Sequence, residues 1–285
     1  MIKPLTPLAI AFDIDETLIT TGGAGAKAWR KSFKALWNLD VDISQFTEVG
    51  VTDPVVAKTT FEGVLKRTPT PQELSSLMHS YLEFLPKEVS ESPGYRVLPG
   101  VEELLPRLIK LKIMLGITSG TLEAAAHIKL ARAKLNHYFS FGGFGSDSND
   151  RGELTRAAIG RAELIRGKAF EPSQVYVIGD TPKDIAAAHA AQAISIGVAT
   201  GKYSVDELKN AGKSKNCFSD RRRRNSCQDP GLGAKTPAQD RLGKNDVGFQ
   251  NGCRRSSNGE RLEIRRRFHR IPRPRHRRTP VSRAV

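Results

Sequence analysis

The stretch that decides the fold is Leu8-Ala9-Ile10-Ala11-Phe12-Asp13-Ile14-Asp15-Glu16-Thr17. Its first five residues are continuously apolar, as in a parallel strand buried on both faces. They run straight into two aspartates, so the segment is too short and too quickly charged for a signal-peptide core or a membrane span. In an open α/β sheet the ligand site lies beyond the carboxyl ends of the strands. Asp13 and Asp15 are therefore the first residues to test for chemistry.

Working outward, the loop Thr21-Gly22-Gly23-Ala24-Gly25 comes next, where glycines permit backbone shapes closed to other residues. From Ala26 to about Pro86 the apolar spacing is helical, with Trp29, Phe33 and Trp37 placed as core. Thr70 caps a helix opened by Pro71. Gly22 to Lys27 resembles a phosphate loop only superficially. It lacks the Gly-Lys-Ser/Thr ending and follows the wrong element, so it reads as a hinge. Thr52 and Asp53 fit either a helix start or a substrate contact.

The α/β pattern resumes near Tyr95. A helix over 101–110 leads to a strand over 113–117, and a helix over 122–135 to a strand over 138–141. A helix over 152–165 precedes a strand over 175–178, and one over 185–191 precedes a strand over 193–198. This alternation predicts an α/β fold with a doubly wound, mostly parallel, Rossmann-like sheet. The expected organisation is an α/β core of residues 1–18 and 96–212, a helical insert over 19–95, and a basic, disordered tail over 213–285.

The tail carries the charge. The chain of 285 residues has 45 Lys and Arg against 30 Asp and Glu, a net +15. Residues 213–285 hold 21 of the basic and 6 of the acidic residues, leaving 24 of each sign in residues 1–212. From Arg221 onward only about 15 of 65 residues are apolar, too few for a packed core. Three readings of the tail stand open: an extension with no specific role, an out-of-register translation, or a salt-sensitive, non-specific contact with nucleic acid. Cys217, Cys227 and Cys253 also lie there. Their spacing to His269 and His276 matches no common zinc finger. Without cysteine, residues 1–212 fit a reducing, cytoplasmic setting.

At the carboxyl ends of the expected strands stand Asp13 and Asp15 after the first, Thr118 and Ser119 after the second, and Gly179-Asp180-Thr181-Pro182-Lys183-Asp184 after the fourth. Carboxylates gathered in one crevice need a cation or protons. Hard oxygen ligands suit Mg²⁺. One carboxylate can then attack phosphorus while another exchanges a proton.

Asp13-x-Asp15-x-Thr17, then Thr118, then Gly179-Asp180-x-x-x-Asp184, in this order, resembles the haloacid dehalogenase superfamily of phosphohydrolases over about residues 8–212. The stretches at 50–53 and 99–101 extend the likeness, and Gly142 to Asp147 is similar to the superfamily's phosphoglycolate-phosphatase-like members. In that superfamily a helical insert directly after the first motif is a small cap over the substrate, which the resemblance implies for residues 19–95, beside a catalytic core of residues 1–18 and 96–212. The resemblance implies Asp13 as nucleophile and Asp15 as general acid/base, with Asp15 also lending its backbone carbonyl to the metal. It implies Asp180 and Asp184 around Mg²⁺, Thr118 and Ser119 toward the phosphate, and a basic residue at Arg151, with Arg156 as rival. Arginine stands where lysine is usual, and Glu16 where glycine is commoner. The implied activity is Mg²⁺-dependent hydrolysis of a small phosphate monoester, such as phosphoglycolate or a sugar or nucleotide phosphate. The alternatives are a phosphomutase of the same superfamily, or a non-catalytic binding protein that uses the basic tail.

Overall fold

The computed structural model describes residues 8–213. The expectations for the basic tail, its cysteines and its histidines concern residues outside these. In chain order the elements are β1 (Ala9–Phe12), β2 (Ile19–Thr20), α1 (Ala24–Trp37), α2 (Asp53–Leu65), α3 (Pro71–Glu91), β3 (Arg96–Val97), α4 (Val101–Lys110) and β4 (Met114–Ser119). Then come α5 (Glu123–Ala131), β5 (Phe141–Phe144), α6 (Arg151–Arg166), β6 (Val175–Gly179), α7 (Pro182–Ala190), β7 (Ile194–Gly197) and α8 (Val205–Lys213).

Five strands form a parallel sheet in the order β5-β4-β1-β6-β7. The chain leaves β1 for β4 and β5 on one side, then returns to β6 and β7 on the other. The strand order reverses at β1, which places a crevice at its carboxyl end.

β1 is buried throughout, and its alternation sets the two faces. Ile10 and Phe12 join Leu105, Leu115 and Leu130 on the face covered by α4 and α5. Ala9 and Ala11 meet Ala158, Ala162 and Ala188 on the face covered by α6 and α7. Small residues on that side bring the helices close. A Cβ on Gly143 would stand 1.9 Å from the Leu154 carbonyl oxygen, so β5 must carry glycine there.

The expected α/β sheet is present, with one strand displaced. The apolar run 138–141 predicts a strand, but residues 136–138 make a single 3₁₀ turn and the strand occupies Phe141–Phe144. Glycine at 142 and 143 is depleted in strands and conceals it. α7 also starts earlier than its periodicity indicates. Pro182 occupies its first turn, and Thr181 and Asp184 form a capping box ahead of the first apolar residue.

Between β2 and β3, which pair antiparallel, the chain forms α1, α2 and α3. Trp29 stacks on Tyr81 with ring centroids 4.0 Å apart, and Phe33, Phe61, Leu77 and Leu85 are buried around them. Trp37 packs against this cluster while partly exposed, and Leu122 and Ala125 at the start of α5 complete it. The insert thus shares its apolar core with a helix that covers the sheet. Thr70 caps α3 as expected, accepting the Glu73 N–H at 3.2 Å. Gly22 and Gly94 pack backbone to backbone where the chain enters and leaves the insert, with a Gly22 φ of 61° and no room for a side chain.

Candidate active site

The ladder runs one residue past β1: the Asp13 N–H donates to the Ile178 carbonyl at 2.8 Å. The chain then turns at once. Glu16 adopts a left-handed φ of 57°, and its N–H donates to the Ile19 carbonyl at 2.7 Å. That turn lets Asp13 and Asp15, which would alternate faces in a strand, both stand at the carboxyl edge.

β6 delivers Asp180, and the first turn of α7 delivers Asp184. The Asp184 carboxylate reaches back to accept the Thr181 N–H at 3.0 Å and the Thr181 hydroxyl at 2.6 Å. Asp13, Asp180 and Asp184 are all buried, and each offers an oxygen within 4.8 Å of the others. The loop after β7 closes over them. A Cβ on Gly201 would lie 2.0 Å from Asp180 Oδ2, and the Thr200 hydroxyl donates to the Glu16 carbonyl.

Arg151, the first residue of α6, supplies the cation. Its guanidinium donates to Asp184 Oδ1, stands 3.5 Å from Asp13 Oδ1, and donates to the Gly50 carbonyl of the insert at 3.3 Å. Asp13 Oδ1 is buried and receives no hydrogen bond within ordinary limits. Arg156, the rival for this role, is exposed and donates to the Ala190 carbonyl at 2.9 Å, away from the carboxylates.

One guanidinium, paired with Asp13 and Asp184, is set against a group of three carboxylates, and the acids respond. Burial, then the neighbouring Asp184, pushes Asp13 up to about 8, against the opposing pull of Arg151. Burial and Asp184 likewise push Asp180 up to about 7. Such a cluster takes up protons or a cation. Three hard oxygen donors and an unsatisfied Asp13 oxygen fit Mg²⁺.

Thr118 is buried at the end of β4. Its hydroxyl lies 2.8 Å from the Thr155 hydroxyl, whose own proton goes to the Arg151 carbonyl at 2.7 Å, so Thr118 is the donor. That proton is the one a phosphoryl oxygen would draw. Ser119 is also buried, its oxygen 3.5 Å from the Thr121 N–H.

Asp15 behaves differently from the other three. Its carboxylate lies outside the metal-sized group and accepts from Lys129 Nζ at 2.6 Å. Lys129 is 5 % exposed, and it is the residue that sequence reasoning misses. The available signal is slight: a lysine three residues after Ala126 and beside Leu130, on the buried face of α5. Of the two expected roles, the structure gives Thr52 and Asp53 the helix start: both stand at the beginning of α2. Thr52 holds the cap position of α2, while the Asp53 carboxylate accepts the Thr121 hydroxyl at 2.6 Å and the Leu122 N–H at 2.8 Å. An acid of the insert thus caps the helix that carries Lys129.

The profile of the haloacid dehalogenase-like hydrolases matches residues 10–198. A comparison with curated proteins gave no match. Among solved structures, a predicted phosphoglycolate phosphatase from Haemophilus somnus 129pt is 20% identical with a TM-score of 0.57, covering 72% of this chain and 91% of its own. A beta-phosphoglucomutase from Clostridium difficile is 21% identical with a TM-score of 0.57, covering 72% and 88%. A predicted phosphatase from Clostridium acetobutylicum is 22% identical with a TM-score of 0.54, covering 73% and 91%. At these identities the likeness is one of fold.

Proposed function

The chain belongs to the haloacid dehalogenase-like hydrolase family, and from that premise we propose that it hydrolyses a small phosphate monoester through an aspartyl-phosphate on Asp13. The observation that carries the reading is the buried group of Asp13, Asp180 and Asp184, two of which, Asp13 and Asp184, share one guanidinium, with Asp15 held apart from it. Two carboxylates in different surroundings can take two roles.

In the first half-reaction an Asp13 oxygen attacks phosphorus, the bond from phosphorus to the ester oxygen breaks, and Asp15 gives its proton to the departing oxygen. In the second, Asp15 takes a proton from water as that water attacks phosphorus. Inorganic phosphate leaves and the Asp13 carboxylate is restored. Arg151 and the Thr118 hydroxyl hold the phosphoryl oxygens, with Ser119 beside them. Mg²⁺, bound by Asp13, Asp180 and Asp184 with the Asp15 backbone carbonyl, would offset charge on the phosphoryl group.

The helices over 19–95 act as a cap that encloses the substrate and excludes water, over a core of residues 1–18 and 96–212. An enclosed site suits a compact ester: a phosphoglycolate-like acid, a sugar phosphate or a nucleotide. Among the described residues no helix is long and apolar enough to cross a membrane. We assign the protein to the cytoplasm because residues 1–212 contain no cysteine, as suits a reducing setting. The test is hydrolysis of p-nitrophenyl phosphate with Mg²⁺ or with EDTA, by wild type and Asp13→Asn. Metal-dependent turnover lost in the variant supports the proposal. Turnover that survives the substitution rules it out, and transfer of phosphate to a second hydroxyl without release would indicate a mutase.

A further inference from the structure

Asp15, the proton donor of the proposed reaction, is held by a residue for which that reaction has no other use. Lys129 Nζ donates to Asp15 Oδ2 at 2.6 Å and to the Thr121 hydroxyl oxygen at 3.3 Å. That hydroxyl in turn donates to Asp53 Oδ2 at 2.6 Å. The Asp53 N–H donates to the Gly120 carbonyl at 2.8 Å, so the first residue of α2 grips the β4–α5 turn from both sides. The backbone at Lys129 is fixed as well, because the Tyr95 hydroxyl donates to the Lys129 carbonyl at 2.7 Å. An ammonium at 5 % exposure is costly to bury unless partnered, and here its partners fix its position.

An ammonium donates hydrogen bonds and accepts none. The carboxyl oxygen facing it must therefore be an acceptor, and when Asp15 carries a proton that proton sits on the other oxygen. We propose that Lys129 is a positioning residue for Asp15: it holds Oδ2, so that Oδ1 alone carries the proton exchanged with the leaving oxygen and with water. Thr121 and the insert's Asp53 hold the ammonium in register. The inference rests on the reading of Asp15 as proton donor. It adds a residue outside the motifs that led to that reading, and it ties the docked insert to the orientation of the acid.

The experiment compares p-nitrophenyl phosphate, whose leaving group departs without help, with phenyl phosphate, whose leaving group needs a proton. Wild type, Lys129→Met and Lys129→Arg are assayed with Mg²⁺, and thermal unfolding is recorded for each. The expected result for Lys129→Met is a kcat on phenyl phosphate that falls about tenfold or more beyond its fall on p-nitrophenyl phosphate, with KM little changed. A purely structural ion pair would lower the melting temperature and leave the ratio of the two rates at its wild-type value. That outcome overturns the proposal.

If Lys129→Met is unfolded at the assay temperature, Lys129→Arg decides. It keeps a charge opposite Asp53 but replaces a compact ammonium with a wider planar fork. A raised discrimination against phenyl phosphate supports positioning, and a wild-type ratio refutes it. Asp13→Asn separates the two proposals. If that variant still turns over, the covalent reading fails whatever Lys129 does. If it is inert while the Lys129 ratio is flat, only the positioning role fails.

Discussion

Replacing Asp13 by asparagine should stabilise the metal-free protein at neutral pH while removing its activity. Asp13 is buried and pushed up to about 8, whereas in the unfolded chain it titrates near its ordinary 3.8. Between these values the folded state binds a proton that the unfolded chain has released. Stability from this group is therefore complete below about pH 4 and is lost as the pH rises toward 8. One proton corresponds to about 1.4 kcal/mol per pH unit. Asp180, pushed up to about 7, adds a slope of the same sign.

Asparagine cannot ionise, so the variant should lose about one proton's share of the slope. By pH 7.5 it should be more stable than wild type by the order of a few kcal/mol. The amide costs little in return, because Asp13 Oδ1 already lacks a hydrogen-bond partner. The assay is urea unfolding in EDTA at several values between pH 5 and 8, monitored by the fluorescence of Trp29 and Trp37. Saturating Mg²⁺ should reverse the ranking, since it stabilises the protein that binds it better. Parallel pH slopes for wild type and variant in EDTA would refute the reasoning.

Arg151→Ala should lower kcat/KM by about 10²-fold or more, as loss of one preorganised charge-stabilising group does. Arg151→Lys should recover only part, because a single ammonium cannot span Asp184, Asp13 and the Gly50 carbonyl together. Steady-state kinetics on p-nitrophenyl phosphate reads both variants, and equal rates for Lys and Arg would count against the bridging role. Gly201→Ala drives a methyl to 2.0 Å from Asp180 Oδ2. It should raise the Mg²⁺ concentration for half-maximal stabilisation by about tenfold; an unchanged titration midpoint would show that the loop yields without moving Asp180.

The aspartates at the strand mouths are legible in the sequence because chemistry and topology are local there: a buried apolar run ends and charge begins. Val101–Lys110 is legible for a similar reason. Gly100, at a φ of 85°, starts that helix, Glu102 and Glu103 sit at its positive end, and Arg107 and Lys110 at its negative end. β5 is not, because its glycines are set by the approach of α6, a contact that no local pattern reports. The pair of Lys129 with Asp15 is hidden by distance. The two lie 114 residues apart, and Thr121 and Asp53 lie 68 apart. A lysine within an apolar helix face signals only that a partner exists, and the fold alone supplies its identity. The same holds for Asp53, whose partners Thr121 and Leu122 belong to the distant turn between β4 and α5.

The central claim is a covalent intermediate on Asp13, and the most direct measurement is to trap it. Enzyme turning over p-nitrophenyl phosphate with Mg²⁺ is quenched in acid, digested, and its peptides weighed. The expected result is one added phosphoryl group on the peptide that contains Asp13, absent in EDTA and absent in Asp13→Asn. Sustained turnover with the label on another residue, or by an Asp13→Asn protein, would contradict it.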